Sequence, residues 1–145
     1  SLKNSPEDVE ALFSLGRALI QRGQFRDAEQ TLENMLTLSP RHEVGLEVLA
    51  TAQHESGRYR SARNTYEKLI ELNPARSRYY GRYAHVLGQL GDFSGGIRAA
   101  EKALELDPSL AQTHQWLSVA YEKRRNPEKA EYHRRMAEIF EPVTP

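Results

Sequence analysis

Cysteine is absent from the 145 residues, which excludes disulfides, thiolate metal sites and cysteine nucleophiles. Net charge is absent as well: 20 Lys and Arg balance 20 Asp and Glu, so a surface built mainly to neutralise phosphates is not expected. No run approaches the roughly 18 apolar residues that span a bilayer, and Ser1-Leu2-Lys3-Asn4 lacks the apolar stretch of a signal peptide. Nucleic-acid binding and membrane insertion are therefore not expected. Position 1 is not Met, which suggests a segment of a larger protein. Catalytic motifs are missing too: no Gly-rich phosphate loop ending in Lys-Ser/Thr, no His-Glu-x-x-His and no Gly-x-Ser-x-Gly. The five histidines are scattered and the carboxylates form no evident pair, so the chain reads as a non-enzyme without metal or cofactor.

What is present is a period. Prolines stand at Pro40, Pro74, Pro108 and Pro142, each 34 residues beyond the last (74 − 40 = 34). Set in rows of that length, Leu12, Leu15, Gly16 and Leu19 lie above Leu46, Leu49, Ala50 and Gln53, then Tyr80, Tyr83, Ala84 and Leu87, then His114, Leu117, Ser118 and Tyr121. In the second half of each row Ala28, Ala62, Gly96 and Ala130 share a column, followed by Leu32, Tyr66, Ala100 and Arg134. Apolar residues fall at helical spacing, predicting two amphipathic helices of about fourteen residues per row. Between them come Gly23, Gly57 and Gly91, and in the last row Arg125-Asn126-Pro127, where Asn126 is expected to take the left-handed conformation. The small columns let the two helices approach closely, and each Ser/Asn/Asp-Pro pair is expected to stop one helix and start the next.

This row resembles the tetratricopeptide repeat, whose pattern runs Trp, Leu, Gly, Tyr, then Ala, Phe and a closing Pro. The Trp slot holds Leu12, Leu46, Tyr80 and His114, so the resemblance rests on spacing and the small columns. It covers roughly residues 7 to 142 and implies an all-α, right-handed superhelical solenoid of four helix-turn-helix hairpins, eight helices in all. The repeats run at about 9–42, 43–76, 77–110 and 111–142 of one domain. It also implies a concave groove, lined by the first helix of each repeat, that binds extended peptides or partner helices. Positions one helical step off the packed columns then give Phe13, Arg17, Val48, Thr51, Arg78, Arg82, His85 and Trp116 as the candidate groove residues.

Arg78, Arg82 and His85 lie at i, i+4 and i+7, one stripe of one helix, and guanidinium groups grip carboxylates in a bidentate way. Gly81 and Gly88, interleaved with them, lower the bulk there. Trp116 lies about 200° from His114 around its helix, which points it to the groove if His114 packs inward; burial against the preceding hairpin is the alternative. One subset of the family holds a terminal carboxylate with two Asn and three basic groups. The matching positions here are Phe13, Arg17, Val48, Arg78 and Arg82, of which only the last two agree in charge, so that clamp is not expected.

The third row pairs a bulky first helix (Tyr79, Tyr80, Tyr83) with a thin second one (Gly95, Gly96, Ala99, Ala100, Ala103), read as volume compensation across one interface. A ligand backbone lying on the glycines is the alternative. The expected role is a non-catalytic scaffold binding a protein or peptide, acidic in character. Alternatives are a substrate-orienting region of a larger enzyme and a self-associating module, since Tyr132, Met136 and Phe140 form an apolar stripe suited to a weak homodimer through the C-terminal helix.

Overall fold

The computed structural model describes residues 6–142, with side chains from residue 8 onward. Eight helices follow in order: α1 (Pro6–Gln21), α2 (Phe25–Leu38), α3 (Glu43–Glu55), α4 (Tyr59–Leu72), α5 (Ser77–Gln89), α6 (Phe93–Leu106), α7 (Ala111–Lys123) and α8 (Pro127–Phe140). No strand occurs among the described residues. The chain divides between Asn73 and Pro74 into two compact units. In the first, α1 pairs with α2, α3 with α4, and α2 packs on α3; in the second, α5 pairs with α6, α7 with α8, and α6 packs on α7.

The turn inside each hairpin is one device repeated. Gly23, Gly57 and Gly91 sit at φ of 75°, 78° and 85°, a region open to Gly without the penalty a Cβ imposes. The next amide reaches back five residues, from Gln24 to the Leu19 carbonyl, Arg58 to Gln53, Asp92 to Leu87 and Asn126 to Tyr121. In the fourth hairpin the left-handed residue is Arg125, at φ 58°, and not Asn126 as the sequence suggests. Asn126 instead caps α8, its side chain accepting from the Lys129 amide at 3.2 Å. Of the two jobs open to Asn, capping won, because an orphan N–H of the first turn lies within reach of its side chain.

Between hairpins, Ser39, Asn73 and Asp107 close the preceding helix, their amides donating to the carbonyls of Met35, Leu69 and Ala103. All three have left the helical region (φ −141°, −145° and −149°), which a following proline disfavours. The prolines do not start the next helix; α3, α5 and α7 begin three residues later, at Glu43, Ser77 and Ala111.

The small columns are buried throughout: Gly16, Ala50, Ala84 and Ser118 in the first helices, Ala28, Ala62, Gly96 and Ala130 in the second. A Cβ on Gly16 would lie 2.6 Å from Leu32 Cδ2, so glycine there is the seat of a leucine. Leu32, Tyr66 and Ala100 are buried, whereas Arg134 in the same column is exposed. Leu15 departs from the packed reading, being 50% exposed. In α7 the matching Leu117 is covered by α5 and α6 residues, and among the described residues no hairpin lies on that face of α1.

The first unit also holds a buried polar network. Glu29 accepts from Gln53 Nε2 at 3.1 Å and from Arg58 Nε at 3.3 Å, and Thr65 donates to Gln53 Oε1 at 2.6 Å, linking α2, α3, α4 and the turn between them. No buried side-chain N or O among the described residues lacks a partner, so this network is closed and structural.

Candidate protein-binding face

In the second unit, packing occupies two faces of α5 and leaves a third exposed. On it stand Arg78, Arg82 and His85. The Arg78 guanidinium lies 5.6 Å from the centroid of the Tyr79 ring, with that of Arg76 at 5.9 Å, so a buried aromatic helps hold the base of the stripe. The corresponding positions of α7 are Gln112, Trp116 and Val119; Gln112 and Val119 are exposed, Val119 at 53%, as is the neighbouring Gln115.

Trp116 does not join them. Its ring is half-buried against the cluster of Ala84, Leu87, Ala99, Ala100 and Leu117. A Cβ on Gly88 would meet Trp116 Cζ2 at 2.9 Å, and one on Gly96 would meet Cη2 at 2.5 Å. The indole is therefore a wedge seated on two glycines, and the exposed-anchor expectation gives way to the buried alternative. The same geometry corrects two further expectations. Gly88 makes room for Trp116 and Gly81 faces Thr113, whose Oγ1 would lie 3.0 Å from a Cβ there, so neither glycine clears space for a ligand. The volume exchange of the third repeat is shared: Trp116 of α7 supplies the bulk nearest Gly96, while Tyr83 of α5 packs on the cluster that holds Ala99 and Ala100.

In the first unit, Phe13 is half-buried and tilts against His42 with ring centroids 5.3 Å apart, while the exposed Arg17 lies 5.7 Å from the Phe13 centroid. His42 is itself fixed, accepting from the Gly45 amide at 2.8 Å. Val48 and Thr51 are half-buried on α3, and the Thr51 hydroxyl donates to the Glu47 carbonyl at 3.1 Å. The structure thus groups Arg78, Arg82 and His85 on α5, and Phe13 with Arg17 on α1, while Trp116 belongs to the core of the second unit. Among the described residues no group of three or more His, Asp or Glu side chains could hold a metal ion, and no helix is long and apolar enough to cross a membrane.

Three family profiles described as tetratricopeptide repeat match residues 1–43, 23–86 and 77–110. The chain belongs to the tetratricopeptide-repeat family. No curated protein sequence matches it. Among solved structures it is similar to one described as the crystal structure of MamA, at 24% identity and a TM-score of 0.88, covering 97% of this chain and 82% of that one. It is also similar to residues 41 to the end of MamA from Desulfovibrio magneticus RS-1, at 24% identity and a TM-score of 0.88, covering 94% and 77%. A third, MamA MSR-1 C2, is 26% identical with a TM-score of 0.82, covering 91% and 76%. The shared fold is an all-α helical repeat, and membership of a family of typically non-catalytic scaffolds supports a protein-binding role.

The Trp116 seat is testable. Gly96→Ala gains roughly 1 kcal/mol of helix propensity, yet its Cβ collides with the indole and sits 3.1 Å from the Ala84 carbonyl oxygen. Overpacking of this kind costs about 1–3 kcal/mol, so the variant is expected to be less stable in urea unfolding. Part of the loss should return in the Trp116→Leu background, the coupling being read by a double-mutant cycle.

Proposed function

We propose that the chain is a non-catalytic scaffold that binds an acidic, extended peptide segment of a partner protein, gripped by the exposed face of α5. The observation that carries this reading is the Arg78, Arg82 and His85 stripe, exposed and on one helix. Side chains four apart on a helix are separated by about 6 Å along its axis, and alternate residues of an extended strand by roughly 7 Å. Two guanidinium groups at that spacing suit carboxylates at alternate positions of an extended peptide, each pair able to form two parallel N–H···O bonds. Gln112 and Gln115 supply amides for the peptide backbone, and Val119 an apolar contact. Phe13, Arg17, Val48 and Thr51 form a corresponding face of the first unit, with Arg17 as its exposed charge.

A second reading, self-association through α8, has its own observation. Tyr132, Met136 and Ile139 replace Gln30, Asn64 and Arg98, then Asn34, Lys68 and Lys102, then Thr37, Glu71 and Glu105 at the matching positions of the earlier repeats. All nine of those polar residues are exposed; Tyr132 is 48% and Ile139 66% exposed, so the outer face of α8 has exchanged polar for apolar surface.

For the first reading, Arg78→Glu with Arg82→Glu is expected to weaken binding of a fluorescent Glu-rich peptide by roughly hundredfold or more, two charge-assisted hydrogen-bonded pairs being lost. Helical content and melting temperature should stay nearly unchanged; equal affinity in wild type and variant would overturn it. For the second, light scattering should show a mass that rises with concentration and no longer does so in Ile139→Lys; a constant monomer mass removes it.

A further inference from the structure

The fourth hairpin contains a feature with no counterpart in the other three. His114 on α7 and His133 on α8 are both buried, and their Nδ1 atoms lie 2.9 Å apart. His114 Nε2 is 2.8 Å from the Pro108 carbonyl oxygen. A carbonyl only accepts, so His114 Nε2 carries the hydrogen and, in the neutral ring, Nδ1 is bare. His133 Nδ1 must then carry a hydrogen and donate it to His114. The repeat supports this assignment: 34 residues earlier, Tyr80 donates its hydroxyl hydrogen to the Pro74 carbonyl at 2.8 Å, in the position His114 inherits.

This arrangement has a definite proton capacity. A first extra proton can enter at His133 Nε2 and leave the Nδ1 contact intact. A second has only His114 Nδ1 to occupy, where two N–H groups would face each other at 2.9 Å between two cationic rings. We propose that the His114–His133 pair is a proton-sensitive latch that holds α8 on α7 when at most one ring is charged and releases the fourth hairpin when both are.

The surroundings of His133 favour its neutral form. Burial lowers the pKa of His133 most, with His114 next and Lys129 adding to it, while Glu101 on α6 opposes them. Glu101 is engaged by the Tyr121 hydroxyl of α7, whose pKa burial and that carboxylate push up to about 12, so this tyrosine stays neutral. The rings packed on the pair are uncharged: Tyr121 stacked on His133 at 5.7 Å, Tyr132 tilted against it at 4.9 Å, and Phe140 stacked on His114 at 5.8 Å. The sign follows from linkage. Two solvated imidazoles with ordinary pKa near 6.5 take up two protons on acidification, whereas the latched pair accepts at most one readily. The latch is therefore at full strength above about pH 6.5, and well below it opening gains about tenfold or more for each pH unit. His42 also loses an acceptor when protonated, but it sits on the first unit and would act on the start of α3.

Hydrogen exchange of the whole chain at pH 7.5 and 5.5 tests this. Protection factors of α7 and α8 amides are expected to fall about tenfold more than those of α5 and α6, where Tyr80 and Ala99 occupy the matching positions. In His114→Tyr with His133→Ala, which copies the third hairpin, that excess should vanish. A fall shared equally by both hairpins, or an excess that survives in the variant, overturns the latch. Imidazole ¹⁵N resonances of the wild type give a second reading that needs no variant. One of the two rings should remain neutral with a bare Nδ1 in the folded protein at pH 5.5, and two independent titrations near 6.5 without loss of fold would refute the proposal.

Discussion

Close approach between helices of unequal bulk is the constraint on which everything else in this chain rests. A two-helix hairpin of this length cannot bury its apolar side alone, and it gains enough only if its helices nearly touch and the next hairpin closes over them. Near contact requires small residues on both helices, and that is what Gly16, Ala50, Ala84 and Ser118 opposite Ala28, Ala62, Gly96 and Ala130 provide. Where a column holds glycine, a large neighbour descends into it: Leu32 onto Gly16, Trp116 onto Gly88 and Gly96. Interiors packed to this density have few alternative arrangements, so each repeat can exchange bulk with its neighbour but cannot change the total.

The exposed face of α5 is a by-product of that constraint. A first helix that packs on its own partner and on a neighbouring hairpin keeps one stripe exposed, where packing does not dictate residue type. In α5 that freedom holds Arg78, Arg82 and His85, above a ring, Tyr79, that is almost fully buried. The last hairpin shows the same logic at the end of the repeat. Arg134 and Glu138 stand where Leu32 and Leu36 stand in the first repeat, and both are exposed, so these columns of α8 are polar.

Much of this was legible in the sequence, because a period of 34 fixes helix, turn and core position together. The eight helices, the glycine turns and the small columns follow from spacing alone, and so does the exposure of Arg78, Arg82 and His85. What spacing does not encode is competition between two uses of one residue. Asn126 was suited both to a left-handed turn and to a helix cap, and only the placement of the Lys129 amide decides it. Trp116 was suited to surface or core, and the answer lay in two glycines 28 and 20 residues before it, which look like helix defects until the indole is placed on them. The Glu29, Gln53, Arg58 and Thr65 network and the His114–His133 contact join residues from different elements, each of which reads as an ordinary solvent-facing polar residue when its own segment is taken alone. A clue to the histidines was present, since His114 fills a column otherwise held by Leu12, Leu46 and Tyr80.

The seat of Trp116 is where packing between successive repeats can be seen most directly in solution. Nuclear Overhauser contacts between the indole ring hydrogens and the α-hydrogens of Gly88 and Gly96 report it without any substitution. The interlocking described above requires strong contacts to both glycines, the ring lying against the two backbones at van der Waals distance. Their absence, with the indole in contact only with residues of α7, would mean that the third and fourth repeats do not interlock in this way and would contradict the account.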